Sequence, residues 1–116
     1  MKEKIIERLL KELEEKKDLL FTEIEEIFEE EGYDYKGKRS LLHPKDTNLV
    51  MWMGWNEGAI DIIGTLLEIP EMFLIQCTTI ETLTYSEWLN LPIAKTDKRV
   101  HTKPYWFPVK LNYRKN

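Results

Sequence analysis

Five apolar side chains in the first thirteen residues, Ile5, Ile6, Leu9, Leu10 and Leu13, fall on one stripe of a 3.6-residue period, with charged residues filling the gaps. Such a stripe must be covered by other parts of a fold, because a short isolated helix is marginal in water. Glu7 precedes Lys11 by four residues, the favourable order for a helix-face pair worth about 0.3–0.5 kcal/mol. Thr22-Glu23-Ile24-Glu25 fits the S/T-x-x-E capping box and predicts a second helix that starts at Thr22. Its buried stripe is Ile24, Ile27 and Phe28, and Gly32 is placed as its C′ stop. The apolar heptad does not continue through Glu14–Asp18, so two helices with a short extended piece at Leu19–Phe21 are expected, not one coiled-coil strand.

Tyr33 to Asn48 is polar and broken by Gly37, Pro44 and Asp46, which reads as a loop. Leu49–Met53 reads as a buried strand, and Asn56 as the cap of a third helix with Ile60, Ile63, Leu66 and Leu67 inward. Gly64 sits mid-helix, where glycine costs about 1 kcal/mol against alanine, so a close backbone approach is expected there. Pro70 marks that helix's end. Met72–Cys77 and Thr82–Trp88 are rich in β-branched and aromatic residues and read as a hairpin. From Leu89 onward Pro92, Pro104 and Pro108 favour an extended course, anchored by Trp106-Phe107. The expected fold class is therefore α+β and winged-helix-like: three helices, a β-hairpin wing and an extended C-terminal tail. At 116 residues the chain suits one core. A single domain over 1–116 is expected, with a helical and wing core at 1–93 and a basic extended tail at 94–116.

Several chemistries lack their residues. Cys77 is the one cysteine, in an apolar run where a buried, inert thiol is expected. His43, His101 and Cys77 have no metal-ligand spacing, and Ser40 and Ser86 lack a nucleophile-elbow context. No catalytic residue, metal or cofactor is expected, and the chain is read as a non-enzyme. The charged N-terminal segment has no signal-peptide core, and no run approaches the roughly 18 apolar residues of a membrane span. A cytoplasmic location without membrane contact is the expectation.

Charge is segregated along the chain. Residues 1–31 hold six Lys/Arg and twelve Asp/Glu, whereas residues 94–116 hold seven and one. The expected third helix carries Glu57, Asp61 and Glu68 and no cation, which argues against its lying in a groove of DNA. Lys95, Lys98, Arg99, Lys103, Lys110, Arg114 and Lys115 are instead interleaved with Tyr105, Trp106 and Tyr113. Cations alternating with aromatics can follow phosphates and stack on bases. The plainer alternative lays this tail over the acidic helices of its own domain. Glu23, Glu26 and Glu30 form an acidic face that could meet a basic protein partner, or simply be solvated. A homodimer is left open, since the first apolar stripe suits either a core or a dimer seam.

The run Leu20–Glu25, then Glu31–Gly37, then Trp52–Glu57 resembles small uncharacterised proteins of Gram-positive phages and staphylococcal pathogenicity islands. Leu89–Lys95 and Lys103–Val109 fit the same group, although its glycine-containing wing turn is missing around Thr79–Thr82. The resemblance implies a winged-helix-like fold on a mobile genetic element and supplies no activity. The expected function is a non-enzymatic interaction module binding a host or phage protein, one acting in replication or transcription. The alternative is nucleic-acid binding through wing and tail.

Overall fold

The first apolar stripe is helical and closes on its own domain: α1 (Lys2–Lys16) buries Ile5, Leu9 and Leu13 completely. The computed structural model describes residues 1–85 and 89–114, and among these it contains four helices and six strands in a mixed α+β arrangement. After β1 (Asp18–Leu19), α2 (Phe21–Glu30) buries Phe21, Ile24, Ile27 and Phe28. Its start differs from expectation. The N-cap is Leu20, whose N–H donates to Glu23 Oε1 at 2.9 Å, and Thr22 lies inside the first turn. Gly32 ends the helix at φ 68°, the left-handed conformation that glycine adopts most readily.

The expected loop is in fact a hairpin of β2 (Lys36–His43) and β3 (Asp46–Trp55). Its first strand escapes an apolar pattern because it is a sheet edge, with Lys36 through Ser40 exposed. Both Lys36 and Arg39 sit opposite Trp55, so Gly37 and Lys38 form a bulge. A Cβ at Gly37 would lie 2.7 Å from Asn56 Cα. The close backbone approach expected at Gly64 is therefore found at Gly37; Gly64 faces open space. Asn56 caps α3 (Glu57–Leu67) as expected, its Oδ1 accepting Ala59 N–H at 2.9 Å. The buried stripe is Ala59, Ile62, Ile63 and Leu66, with Ile60 and Leu67 at its margins.

Strand β4 (Met72–Gln76) follows, and then α4 (Thr79–Tyr85) where a second hairpin strand was expected. Thr82–Tyr85 are helical, and residues 86–88 lie outside the described residues. The helix forms because Thr78 and Glu81 make a complete capping box: Thr78 N–H donates to Glu81 Oε1 at 2.8 Å and Glu81 N–H to Thr78 Oγ1 at 3.3 Å. So among the described residues no wing hairpin follows α3; the β2–β3 hairpin precedes it. The partner of β4 comes from the tail, which supplies β5 (Tyr105–Trp106) and β6 (Val109–Tyr113).

Two three-stranded sheets result. One is antiparallel in the order β1-β6-β4, with Leu111 between Leu19 and Leu74. The other has the order β2-β3-β5, with β5 parallel to β3 through Val50↔Trp106. One core joins both sheets to α1, α2 and α3. At its centre Phe21 stacks on Trp52 at 5.7 Å, and Trp55 meets the edges of Phe21 and Phe28 at 5.6 and 5.2 Å. No helix among the described residues is long and apolar enough to cross a membrane.

Candidate interaction surface

The acidic face separates into individual tasks. Glu23 holds the start of α2, while Glu30 and Glu31 grip the Arg8 guanidinium at 2.6 and 2.7 Å. These bonds raise the Arg8 pKa further above its ordinary value. Glu25 Oε2 accepts both indole N–H groups, from Trp52 at 3.0 Å and from Trp55 at 2.8 Å. Glu29 accepts the Tyr35 hydroxyl at 2.7 Å, and burial together with that bond raises the phenol's pKa. Of the three expected partner-binding residues, Glu26 alone is exposed with no bond to another described residue.

The basic tail also divides. Lys110 is drawn into the protein, its Nζ lying 3.2 Å from Asp18 Oδ2 and 2.7 Å from Glu81 Oε2. The bond to Glu81, partly opposed by burial, raises its pKa. Arg114 bonds Asn112 and lies 5.4 Å from the Phe73 ring centroid. Lys115 falls outside the described residues. Lys95, Lys98, Arg99 and Lys103 remain exposed on the segment between Ala94 and β5.

Two histidine–aspartate pairs fasten that segment to the hairpin tip. Lys45 N–H donates to His43 Nδ1 at 3.1 Å, which leaves Nε2–H to donate to Asp97 Oδ2 at 3.1 Å. On the other side, His101 Nδ1 and its backbone N–H both reach Asp46 Oδ2, at 3.0 and 3.1 Å. The His101 hydrogen bond holds the Asp46 carboxyl below the usual carboxylate range, against a smaller opposing effect of burial. Asn48 adds a bond from Nδ2 to the His101 carbonyl at 2.6 Å.

This clamp brings four tail cations to the tip of a hairpin that carries Lys45 there and Lys36, Lys38 and Arg39 toward its opposite end, all exposed. In the sequence the hairpin's four are hidden, because 33–48 has the polar, Gly- and Pro-broken pattern of a loop. Residues 36–48 and 94–103 together hold eight Lys/Arg and two Asp; the rest of the chain holds nine Lys/Arg and nineteen Asp/Glu. Both aspartates are those paired to histidines. Among the described residues, Arg39 alone of the eight has an ion-pair partner, Glu57 at 3.7 Å across open solvent.

A cleft of about 410 Å³ opens beside the clamp, between the hairpin tip and β4. Met51, Met72, Phe107 and Val109 form its apolar floor, and His43, Asp97 and Gln76 stand among its polar lining. Nothing here resembles a nucleophile with its base. Burial pushes the Cys77 thiol up to about 12, so it is protonated at neutral pH. No cluster of three or more His, Cys, Asp or Glu suited to a metal occurs among the described residues. No family model, curated protein or solved structure matches the chain.

Proposed function

We propose that this chain is a non-enzymatic binding module that holds nucleic acid on its hairpin-and-clamped-loop end. The observation that carries the reading is that one element pair holds eight exposed cations, Lys45 and the four of the tail segment by the hairpin tip and Lys36, Lys38 and Arg39 toward its base, while its two carboxylates are both hydrogen-bonded to histidines. Cations left in solvent can neutralise phosphates and release counterions, which supplies most non-specific affinity for a polyanion. A two-stranded ribbon is also a known shape for groove contact. The acidic-face reading, with a host or phage protein as partner, is the weaker one, because Glu23 and Glu30 are used within the chain. Its setting on a mobile genetic element is part of the proposal.

The test is fluorescence anisotropy with labelled oligonucleotides over a salt series, for the native chain and for Lys98→Glu with Arg99→Glu. The native chain binds, and the double variant loses affinity and about two units of log–log salt slope. Its folding stability stays within about 0.5 kcal/mol, as for other exposed positions. An unchanged slope, or a stoichiometric protein partner that survives nuclease and ignores both substitutions, overturns the proposal.

A further inference from the structure

Resting on the nucleic-acid reading, we infer that the cleft beside the histidine–aspartate clamp takes an unstacked base of a single strand whose phosphates run along the basic rim. The cleft's size, about 410 Å³, lies within the ordinary range for sites that enclose a small ring system. Its floor is apolar, and its lining includes Phe73, which is 42% exposed. Arg114 lies 5.4 Å from that ring and brings a cation beside it. Aromatic faces accept any base by stacking, and a cation beside them favours the neighbouring phosphate.

Three of the lining residues adjoin cations. Pro44 precedes exposed Lys45, and Asp97 precedes exposed Lys98. Gln76 Nε2 donates to the carbonyl of Lys95 at 3.0 Å, which fixes that lysine's backbone at the margin. An apolar floor with Lys45, Lys95 and Lys98 adjoining its lining residues suits a nucleotide unit, with its base inside and its phosphate at the mouth, beyond Asp97. A base still paired in a duplex cannot enter, so the cleft adds selectivity for single strands to charge-driven affinity.

The experiment compares a single-stranded oligonucleotide, a duplex of equal length and the same strand with abasic sites, all at one salt concentration. Methionine methyl NMR signals of Met51 and Met72 report on the cleft floor directly. The single strand binds about tenfold more tightly than the duplex, and abasic sites remove the preference. Phe73→Ala and Gln76→Trp also remove it, one by deleting the stacking face and the other by filling the mouth. Duplex affinity and salt slope stay unchanged in both variants. Met51 and Met72 signals shift with the intact strand and not with the abasic one. Because these shifts are read on the native chain, failure of a variant to fold does not blunt the test. Equal affinity for both forms without methyl shifts overturns the cleft inference and leaves the nucleic-acid reading standing. Binding of neither form overturns both. Methyl shifts with a free mononucleotide but with no oligonucleotide overturn the strand as occupant.

Discussion

The helical end and the hairpin end carry charge in opposite ways. Around α1 and α2, carboxylates are spent inside the chain: on Arg8, on the Trp52 and Trp55 indoles, on Tyr35 and on the Leu20 N–H. At the hairpin and its clamped loop the cations face solvent, and the two carboxylates serve as clamps. Charge that is already hydrogen-bonded within a fold supports that fold. Charge left outside contributes little to stability and is free to meet a partner. The location of surplus charge is therefore a better guide to function here than the sign of the whole chain.

The contrast breaks most visibly at Glu25. Glu25→Ala removes the acceptor shared by two indoles, one of them on a ring only 1% exposed. It should cost roughly 2–4 kcal/mol by urea denaturation, whereas Glu25→Gln, which keeps an acceptor oxygen, costs about half as much. A loss under 0.5 kcal/mol for the alanine variant would end the claim that this end is held by its carboxylates. Lys110 sharpens the comparison, being a tail cation treated as the helical end treats its charges. Lys110→Ala leaves Asp18 and Glu81 facing each other and should cost about 1–2 kcal/mol, reduced from the fully buried case because both carboxylates are partly exposed. The same change at Lys98 should be near neutral.

The smallest effect concerns acid. Because the folded Asp46 carboxyl is held below its ordinary value, its contribution is fully present above an unfolded value of about 3.9 and is lost as pH falls through the folded one. Amide hydrogen exchange as pH is lowered below about 4 should show the 94–104 segment losing protection before α1 and α2. Simultaneous loss would mean that the clamp is not a separate unit.

The three long helices and the Asn56 cap were legible because a stripe and its cap lie within a few residues of each other. The sheets were not, because β6 pairs with strands far away in sequence, Asp18 with Asn112 and Met72 with Tyr113. One motif shows the limit well. Thr22–Glu25 and Thr78–Glu81 both fit the capping box, yet of the two the second alone forms it, because α2 starts earlier, with Leu20 as N-cap and Glu23 bonding back to it, and Glu25 goes to the two indoles. Local pattern proposes and tertiary demand decides. The candidate surface was half legible: Lys98 and Arg99 were visible as a basic run, whereas Lys36, Lys38 and Arg39 were hidden in an edge strand whose polarity looked like a loop. The winged-helix expectation failed for a related reason, since β4 found its partner in the tail and not in the residues after it.

The tail's two strands have a consequence for how the molecule comes into being. Each sheet owes one strand to residues 105–113, and β6 is the middle strand of its sheet. A nascent chain that ends before Tyr105 holds β1 and β4 with nothing between them, and lacks Trp106 and Leu111 from the core. Its apolar faces and strand edges stay open to solvent, the condition under which chains stick to one another or to chaperones. Long-range pairing of this kind also slows folding, because loop closure must precede any gain from contact. Synthesis and folding of this small domain are thus separate events, and the interval between them is its most vulnerable stage.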